Sequence, residues 1–189
     1  MDVSVIIVTR NRCRSLGGAL EALMALAPGG PAFELIVADN GSTDATRDVC
    51  CSLGKYFPEF TYLYDPRPGQ IVGWHKALAI SQAPVLAFMD DDVRPHPGWL
   101  AGVAEAFSDA QVGLATGPIK PVLEVEPPAW RKGMILAHEG GLWSAHWGLL
   151  DFGPDVKEVS PAFVWGRNFL VRRDAMIAAG GFHPGGMPA

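Results

Sequence analysis

Short runs of consecutive apolar residues alternate along this chain with segments whose apolar residues recur every three or four positions. The runs at residues 3–8, 33–38 and 84–89 are rich in Val, Ile, Leu and Ala, as expected of strands that are covered on both faces. Strands that alternate with helices in this way predict an α/β fold, with a mostly parallel sheet flanked by helices. The predicted strands are residues 3–8, 33–38, 60–64, 84–89, 111–116 and 163–171.

The segments between these strands predict helices. After the first strand, Leu16, Leu20 and Leu23 recur at helical spacing and would bury one face of a helix. Ser42 or Thr43 is predicted to cap the second helix, and Asp174 the last one. The predicted helices are residues 14–26, 44–54, 70–82, 97–107, 129–137 and 174–179.

Residues 118–162 interrupt this alternation. They are rich in Pro, Gly and Trp, and they show no clean period apart from the short helix predicted at residues 129–137. A connection this long in a compact domain is usually functional. We therefore expect one domain with two parts, residues 1–117 and residues 118–189.

Composition and charge narrow the class of protein. The 189 residues suit one domain with a sizeable core, and a net charge of -5 argues against general nucleic-acid binding, which needs clustered cations. The three cysteines show no CxxC spacing, which favours a reducing cytoplasm over a disulfide framework or a zinc site. The start has no signal-peptide pattern, and no apolar run approaches the roughly 20 residues of a membrane helix. We therefore expect a cytoplasmic protein.

Three consecutive acids, Asp90, Asp91 and Asp92, directly follow the strand at residues 84–89. Their like charges repel, and Mg²⁺ or Mn²⁺ would explain them, because these metals take oxygen ligands and keep positions open for phosphate oxygens. The alternative is a polar turn whose acids are merely solvated. Because ligands bind at the carboxyl ends of parallel strands, Thr9 and Asp39 should face the same ligand as the three acids.

Two common nucleotide-binding motifs are missing from the sequence. No GxGxxG follows the first strand, which argues against a dinucleotide-binding fold of the usual kind, and the chain contains no GxxxxGK[ST], which excludes a P-loop.

A nucleotidyltransferase would share the sheet and the acidic metal site. It normally begins, however, with a Gly-rich basic loop that residues 8–15 (VTRNRCRS) do not resemble. A nucleotidyltransferase is therefore the weaker alternative.

Four segments, in their order and spacing, resemble the family 2 glycosyltransferases of the GT-A fold. They are VSVIIVTRNR, ELIVADNGSTDATRDV, VLAFMDDDVRPHPGWL and GRNFLVRRDAMIAAGGF, and the resemblance runs from residue 3 to about residue 183. It implies transfer of a sugar from a nucleotide-diphospho-sugar, with a UDP-sugar favoured, to a hydroxyl of a glycan, lipid-linked or small-molecule acceptor. It further implies inversion at the anomeric carbon and dependence on a divalent metal, Mn²⁺ or Mg²⁺. Residues 1–117 would then bind the nucleotide-sugar, and residues 118–189 would form the acceptor side.

The resemblance also implies roles for residues of the first part. Thr9, Arg10 and Arg12 match the segment that lines the nucleotide. Asp39 matches the acid that accepts a hydrogen bond from the base, commonly uracil.

The three acids match the DXD-type motif of the family. Asp90 should lie near the ribose, Asp92 should hold the metal that bridges the two phosphates, and Asp91 also lies on the nucleotide-sugar side with a less defined role. The turn that closes this half of the site corresponds to Gly180, Gly181 and Phe182. The segment that approaches the donor sugar and the acceptor corresponds to Gly166, Arg167 and Asn168.

The chain departs from the family in the helix before the metal strand. Many relatives carry an Arg-Asn pair there, whose Arg meets the phosphates or the base, whereas this chain has Trp74 and His75 followed by Lys76. Either His75 or Lys76 could substitute for that Arg. We favour a solvated Lys76 on an exposed helix face.

A second departure concerns the general base. An acceptor hydroxyl must lose its proton, so a carboxylate base is expected, and relatives carry an acidic pair downstream of the Gly-Gly-Phe turn. No such pair follows here before Ala189, so the sequence looks truncated. The alternative function is a catalytically incomplete nucleotide-sugar-binding module, either a fragment or a pseudoenzyme. Acids in residues 118–162 that could serve as the base, but are favoured as solvated, are Glu139, Asp151, Asp155 and Glu158.

Four tryptophans concentrate aromatic surface on the predicted acceptor side. Their rings could stack on sugars or lie at a membrane interface, which would place the protein at the inner face of a membrane. Packing within this smaller part of the domain is the favoured alternative. The four residues are Trp130, Trp143, Trp147 and Trp165.

Overall fold

The computed structural model describes residues 1–123, 125–138 and 140–182, and it confirms the α/β fold. The strands of the main sheet, numbered in chain order, are β1 (Val3–Thr9), β2 (Phe33–Asp39), β3 (Phe60–Tyr64), β4 (Val85–Asp90), β5 (Leu114–Ala115) and β9 (Phe169–Arg172). They lie in the order β3-β2-β1-β4-β9-β5. The first four of these pair in parallel, whereas β9 runs antiparallel to both of its neighbours. The sheet is therefore mostly parallel, as predicted.

Helices cover both faces of this sheet. Those that contribute to its two hydrophobic clusters are α1 (Cys13–Met24), α2 (Thr46–Gly54), α3 (Gln70–Ile80), α4 (Trp99–Ala106) and α6 (Arg173–Ala178). The short helix α5 (Ala129–Lys132) lies outside them, within residues 118–162. On one face, Leu20 of α1 shares a hydrophobic cluster with Val5 and Ile7, and on the other, Ile6 shares one with Ala77 of α3. Full burial of one such large side chain contributes about 1.5–3 kcal/mol. No helix in the described part of the chain is long and apolar enough to cross a membrane.

A second, smaller sheet lies within residues 118–162, where the sequence predicted a long connection. Its strands β6 (Leu136–His138), β7 (Gly141–Ser144) and β8 (Leu149–Asp151) pair antiparallel in that order. The helix predicted at residues 129–137 is confirmed only over α5, because residues 136–138 pair with β7 instead. Strands of three or four residues are too short to show a period of two in the sequence.

The two predicted helix caps were wrong. Neither Ser42 nor Thr43 caps α2, which begins at Thr46. The carboxylate of Asp44 accepts hydrogen bonds from the hydroxyl and, at 3.0 Å, from the backbone N–H of Thr46, and these bonds lower the pKa of Asp44 to about 2. Asp174 lies inside the first turn of α6 rather than before it.

The strand predicted at residues 163–171 begins later than expected. Pro161–Phe163 and Gly166–Asn168 form short 3₁₀ turns, and β9 starts only at Phe169. The hydroxyl of Ser160 accepts a hydrogen bond from the N–H of Ala162 and so stabilises the first turn. The apolar residues 163–165, which lie in and between these turns, therefore resembled part of a buried strand in the sequence pattern.

Candidate functional site

Three strand ends meet at one edge of the main sheet. Thr9 pairs with Asp39 across β1 and β2, and Val8 pairs with Asp90 across β1 and β4. The structure therefore brings Thr9, Asp39 and the acids together, as the sequence predicted. A cleft of about 350 Å³ opens at this edge, and its lining residues are Val8, Thr9, Arg10, Arg12, Asn40, Gly69, Gln70, Asp90, Asp91 and Asp92.

Asp91 is the buried member of the three acids, with 4% of its surface exposed. Its carboxylate accepts a hydrogen bond from the hydroxyl of Thr9 at 2.6 Å and lies 3.1 Å from Nε of Arg12. Burial raises the pKa of Asp91 above its ordinary value, and the bond from Thr9 and the charge of Arg12 oppose that rise. Asp91 thus connects the end of β4 to β1 and to the loop after β1.

Asp92 and Asp90 lie on either side of Asp91 and differ in environment. Asp92 is half exposed, and one of its oxygens lies 2.6 Å from Nη2 of Arg12. Asp90 accepts a hydrogen bond from the side-chain amide of Gln70 at 3.1 Å. Burial, and then the charge of Asp92, raise the pKa of Asp90, whereas Arg167 lowers it. The acids therefore repel one another, and an added cation would relieve that repulsion.

Asp39 is almost fully buried, with 1% of its surface exposed. Its two carboxylate oxygens accept hydrogen bonds from the backbone N–H of Ser42 at 2.8 Å and from the hydroxyl of Tyr62 at 2.6 Å. Burial, together with the bond to Asp39, raises the pKa of Tyr62 above its ordinary value. Asn40, rather than Asp39, lines the cleft, and neither Asn40 nor Tyr62 was predicted as a site residue.

Asn11 organises the loop that carries Arg10 and Arg12. Its backbone is left-handed, with φ of 53°, a conformation that Asn tolerates better than most residues. Its side-chain oxygen accepts the N–H of Thr43 at 2.7 Å, and its own N–H donates to the hydroxyl of Ser42 at 2.8 Å. These bonds join the loops after β1 and β2. This role of Asn11 was not predicted, although its position two residues after β1 could have indicated it.

Trp74 and His75 of α3 contact the Gly-Gly-Phe turn. The ring centroid of Trp74 lies 4.6 Å from that of Phe182. Nε2 of His75 accepts a hydrogen bond from the backbone N–H of Phe182 at 3.0 Å. Gly181 has φ of 77°, in the left-handed region that favours glycine. The helix positions that depart from the family therefore pack this turn against α3.

The preference for a solvated Lys76 was wrong. Lys76 forms an ion pair with the carboxylate of Asp65, a residue that is 4% exposed at the end of β3. Arg67 approaches the same carboxylate at 2.8 Å. The hydrogen bonds from Arg67 and then Lys76 hold the pKa of Asp65 well below its ordinary value. A buried carboxylate needs such partners, and Lys76, in the second turn of the following helix, can reach it.

The segment Gly166–Asn168 places three predicted residues in different surroundings. Asn168 is buried, and its side-chain oxygen accepts a hydrogen bond from the indole N–H of Trp99 at 3.1 Å. A Cβ at Gly166 would lie 3.4 Å from the ring of Trp74. Arg167 is the member whose charge acts on Asp90. Gln70, which was not predicted as a site residue, donates a hydrogen bond to Asp90. Its position at the start of α3 could have indicated this contact.

The carboxylates of the three acids suit a divalent metal whose other ligands are phosphate oxygens of a bound substrate. Among residues 1–123, 125–138 and 140–182, no three His, Cys, Asp or Glu side chains are grouped as a complete metal site. Mg²⁺ is usually bound through one or two carboxylates plus substrate phosphates. The half-exposed carboxylate of Asp92 suits this mode of binding.

The acids considered for the general base do not line the cleft in the part of the chain that the structure describes. Asp151 lies 3.5 Å from Nζ of Lys120, and Asp155 and Glu158 are exposed. Glu139 lies outside the described residues.

Packing, which we favoured for the four tryptophans, is confirmed for three of them. The ring of Trp143 contacts that of Trp165 at a centroid distance of 6.3 Å. The indole N–H of Trp147 donates to the carbonyl of Arg131, whose guanidinium lies 4.6 Å from the centre of the Trp147 ring. Trp130, in contrast, is 69% exposed.

Comparison with known sequences gives one family. The sequence model of the family described as "Glycosyl transferase family 2" matches residues 4–179. Glycosyltransferase AglE from Haloferax volcanii is 28% identical over 119 residues, which cover 62% of this chain and 39% of that protein. The chain spans less than half the length of the curated relatives it matches.

Comparison with solved structures gives the GT-A fold. The mannosyltransferase PcManGT from Pyrobaculum calidifontis, in complex with GDP-Man and Mn²⁺, has a TM-score of 0.67 at 19% identity and covers 96% of this chain and 47% of its own. TarS 1-349 from S. aureus, in complex with UDP, has a TM-score of 0.71 at 16% identity, covering 95% of this chain and 49% of its own. Likeness at this level of identity shows the fold alone.

Proposed function

Because this chain belongs to glycosyl transferase family 2, we propose that its cleft binds a nucleotide-diphospho-sugar, whose sugar is transferred to an acceptor hydroxyl. We further propose that transfer needs a divalent metal, Mn²⁺ or Mg²⁺, and inverts the anomeric carbon. One observation carries the proposal. The cleft at the carboxyl ends of β1 and β4 combines three acids with the basic side chains of Arg10 and Arg12. Such a site can hold a cation and a diphosphate together.

Each polar group of the cleft has a proposed partner on the donor. Asp92 would hold the metal at the diphosphate, and Asp90, with Gln70, would contact the ribose. Arg10 and Arg12 would pair with phosphate oxygens, because guanidinium groups bind phosphate through two parallel hydrogen bonds. The metal, when bound, would act as a Lewis acid on the departing diphosphate, a contribution of several kcal/mol in the transition state.

The nucleotide base is assigned to the region of Asp39, with a uracil base favoured. Both oxygens of Asp39 have protein donors, yet each carboxylate oxygen can accept a second hydrogen bond. PcManGT holds GDP-Man and TarS holds UDP, so both nucleotides belong in the first experiment. We assign residues 1–117 to donor binding and the described part of residues 118–189, with Arg167, to the acceptor side.

The test is a calorimetric titration of the protein with UDP, GDP and TDP, with and without Mn²⁺. We expect binding that depends on Mn²⁺ and weakens at least tenfold in Asp92→Ala, since a lost charge-assisted contact is worth about 1.5–3 kcal/mol. Asp48→Ala, which removes an exposed carboxylate from α2, is the control and should bind as the natural protein does. Equal binding without Mn²⁺ would contradict the metal-dependent function.

A donor hydrolysis and transfer assay distinguishes the enzyme from the alternative function. Release of UDP or GDP from the matching nucleotide-sugar would support a transferase. Binding that depends on Mn²⁺, without hydrolysis or transfer to any acceptor, would favour a nucleotide-sugar-binding module.

A further inference from the structure

The guanidinium of Arg12 bridges two of the three acids. Its Nε lies 3.1 Å from Asp91, and its Nη2 lies 2.6 Å from Asp92. The two contacts differ in environment, because Asp91 is buried and also held by Thr9, whereas Asp92 is half exposed. Arg12 is thus anchored at one end and accessible to solvent at the other.

This bridge occupies an oxygen of the carboxylate that is proposed to hold the metal. A metal that binds Asp92 must therefore compete with Arg12 or lie close to its positive charge. Exposed ion pairs contribute little, so the contact with Asp92 is the one that breaks more easily. A metal ion beside a freed guanidinium would nevertheless be repelled by it, unless an anion binds between them.

A diphosphate supplies such an anion. A guanidinium that leaves a carboxylate can form two parallel hydrogen bonds with phosphate oxygens, and its planar geometry favours this pairing. The diphosphate would bind the metal and Arg12 at the same time. Arg12 would therefore exchange Asp92 for a phosphate when the nucleotide binds together with the metal.

We propose that Arg12 is a positioning residue that keeps Asp92 paired until the donor binds, and so makes the metal and the nucleoside diphosphate bind cooperatively. The inference rests on the proposed function, because it assumes that Asp92 holds the metal. Metal alone binds weakly, and the diphosphate raises the affinity for the metal by giving Arg12 another anionic partner. Linkage requires that the metal raise the affinity for the diphosphate by the same factor.

The experiment measures the Mn²⁺ affinity by the electron paramagnetic resonance of free Mn²⁺, with and without UDP or GDP, corrected for Mn²⁺ bound by free nucleotide. In Arg12→Gln we expect Mn²⁺ alone to bind about tenfold more tightly, and the enhancement by nucleotide to shrink about tenfold, within the usual range of coupling. Arg14→Gln is the matched control. Arg14 is exposed and forms no ion pair with the described residues, so this variant should behave as the natural protein.

A second variant separates charge from geometry. Arg12→Lys keeps the positive charge but loses the planar fork, so Mn²⁺ alone should still bind weakly while the enhancement by nucleotide falls. If Arg12→Gln binds Mn²⁺ with the same affinity and the same enhancement as the natural protein, the inference is overturned. If the natural protein binds no Mn²⁺ even with nucleotide, the proposed metal-dependent function fails, and this inference fails with it.

Discussion

The hydroxyl of Thr9 is the buried donor that keeps the middle acid in place. It joins the end of β1 to Asp91, a residue 82 positions further along the chain, at 2.6 Å. Thr9→Val keeps the shape of the side chain but removes this donor. We expect the free energy of unfolding to fall by about 1–3 kcal/mol, because a buried carboxylate loses a hydrogen bond.

Urea denaturation measures this loss. The control is Thr61→Val on β3, since Thr61 is partly buried and its hydroxyl makes no hydrogen bond to the described residues. Equal midpoints for both variants would show that the bond from Thr9 adds nothing to stability.

The ion pairs of Asp65 predict a dependence of stability on pH. The bonds from Arg67 and Lys76 lower the pKa of Asp65 in the folded protein, and its unfolded value is about 4. A lowered pKa stabilises the fold above pH about 4, and this contribution is lost as the pH falls through the folded value. Asp65→Asn should therefore unfold at lower urea concentration at pH 7, and the difference should shrink below pH about 4.

Urea midpoints at pH 7, 5 and 3 test this prediction. Asp48→Asn on α2 is the control, because its carboxylate is exposed and has no ion pair among the described residues. A difference between Asp65→Asn and the natural protein that stays constant down to pH 3 would contradict the assignment.

At the scale of elements, α3 approaches β1 closely because residue 73 has no side chain. A Cβ at Gly73 would lie 2.8 Å from Cγ1 of Val8 and 3.1 Å from Oδ1 of Asn40. Gly73→Ala should therefore destabilise the protein by about 1–3 kcal/mol through overpacking. Gly102→Ala in α4 has open space around the new Cβ and should stabilise by about 0.5–1 kcal/mol.

Thermal denaturation of the two variants separates packing from helix propensity, because both replace a helical glycine by alanine. Melting temperatures that rise in both would show that α3 can move away from β1. Because Val8 and Asn40 line the cleft, Gly73→Ala should also weaken nucleotide binding, whereas Gly102→Ala should not.

Elements differ in how well their sequence pattern predicted them. The strands β1, β2 and β4 were predicted to within one residue at each end, because they are largely buried and nearly all of their residues are apolar. The strands of the smaller sheet were missed, because each is only three or four residues long and partly exposed. Five helices were predicted to within two residues at each end, the exception being the one at residues 129–137. Their caps were not predicted correctly, because a cap depends on which side chain reaches the first turn.

At the scale of the whole molecule, several exposed apolar side chains lie within residues 118–162. Val122 is 91%, Val125 is 78% and Trp130 is 69% exposed. We propose that this surface touches a membrane, where an amphipathic indole ring is favourable. Trp130→Ala should then reduce partition onto vesicles severalfold, as measured by co-sedimentation with liposomes.

The control for this prediction is Tyr56→Ala. Tyr56 is 58% exposed and follows α2 on the main part of the fold, so its loss should leave partition unchanged. Equal partition of the natural protein and Trp130→Ala would contradict membrane contact through this surface.

The sequence alone determined the parallel sheet and the edge at which the site lies. Apolar runs of strand length interleaved with helices allow few topologies, and the carboxyl ends of parallel strands always share an edge. Thr9, Asp39 and the three acids could therefore be placed together from their positions after strands. The order of family motifs led to the same edge.

Only the tertiary structure decided which partner each side chain has. In the structure, Arg12 forms ion pairs with Asp91 and Asp92. Asp39 accepts a hydrogen bond from Tyr62, and Lys76 forms an ion pair with Asp65. These contacts join residues far apart in the chain, and they depend on distances of a few tenths of an ångström and on burial. A linear pattern records which residue types are present at a strand end, but hydrogen bonds and ion pairs form only after packing has fixed those distances.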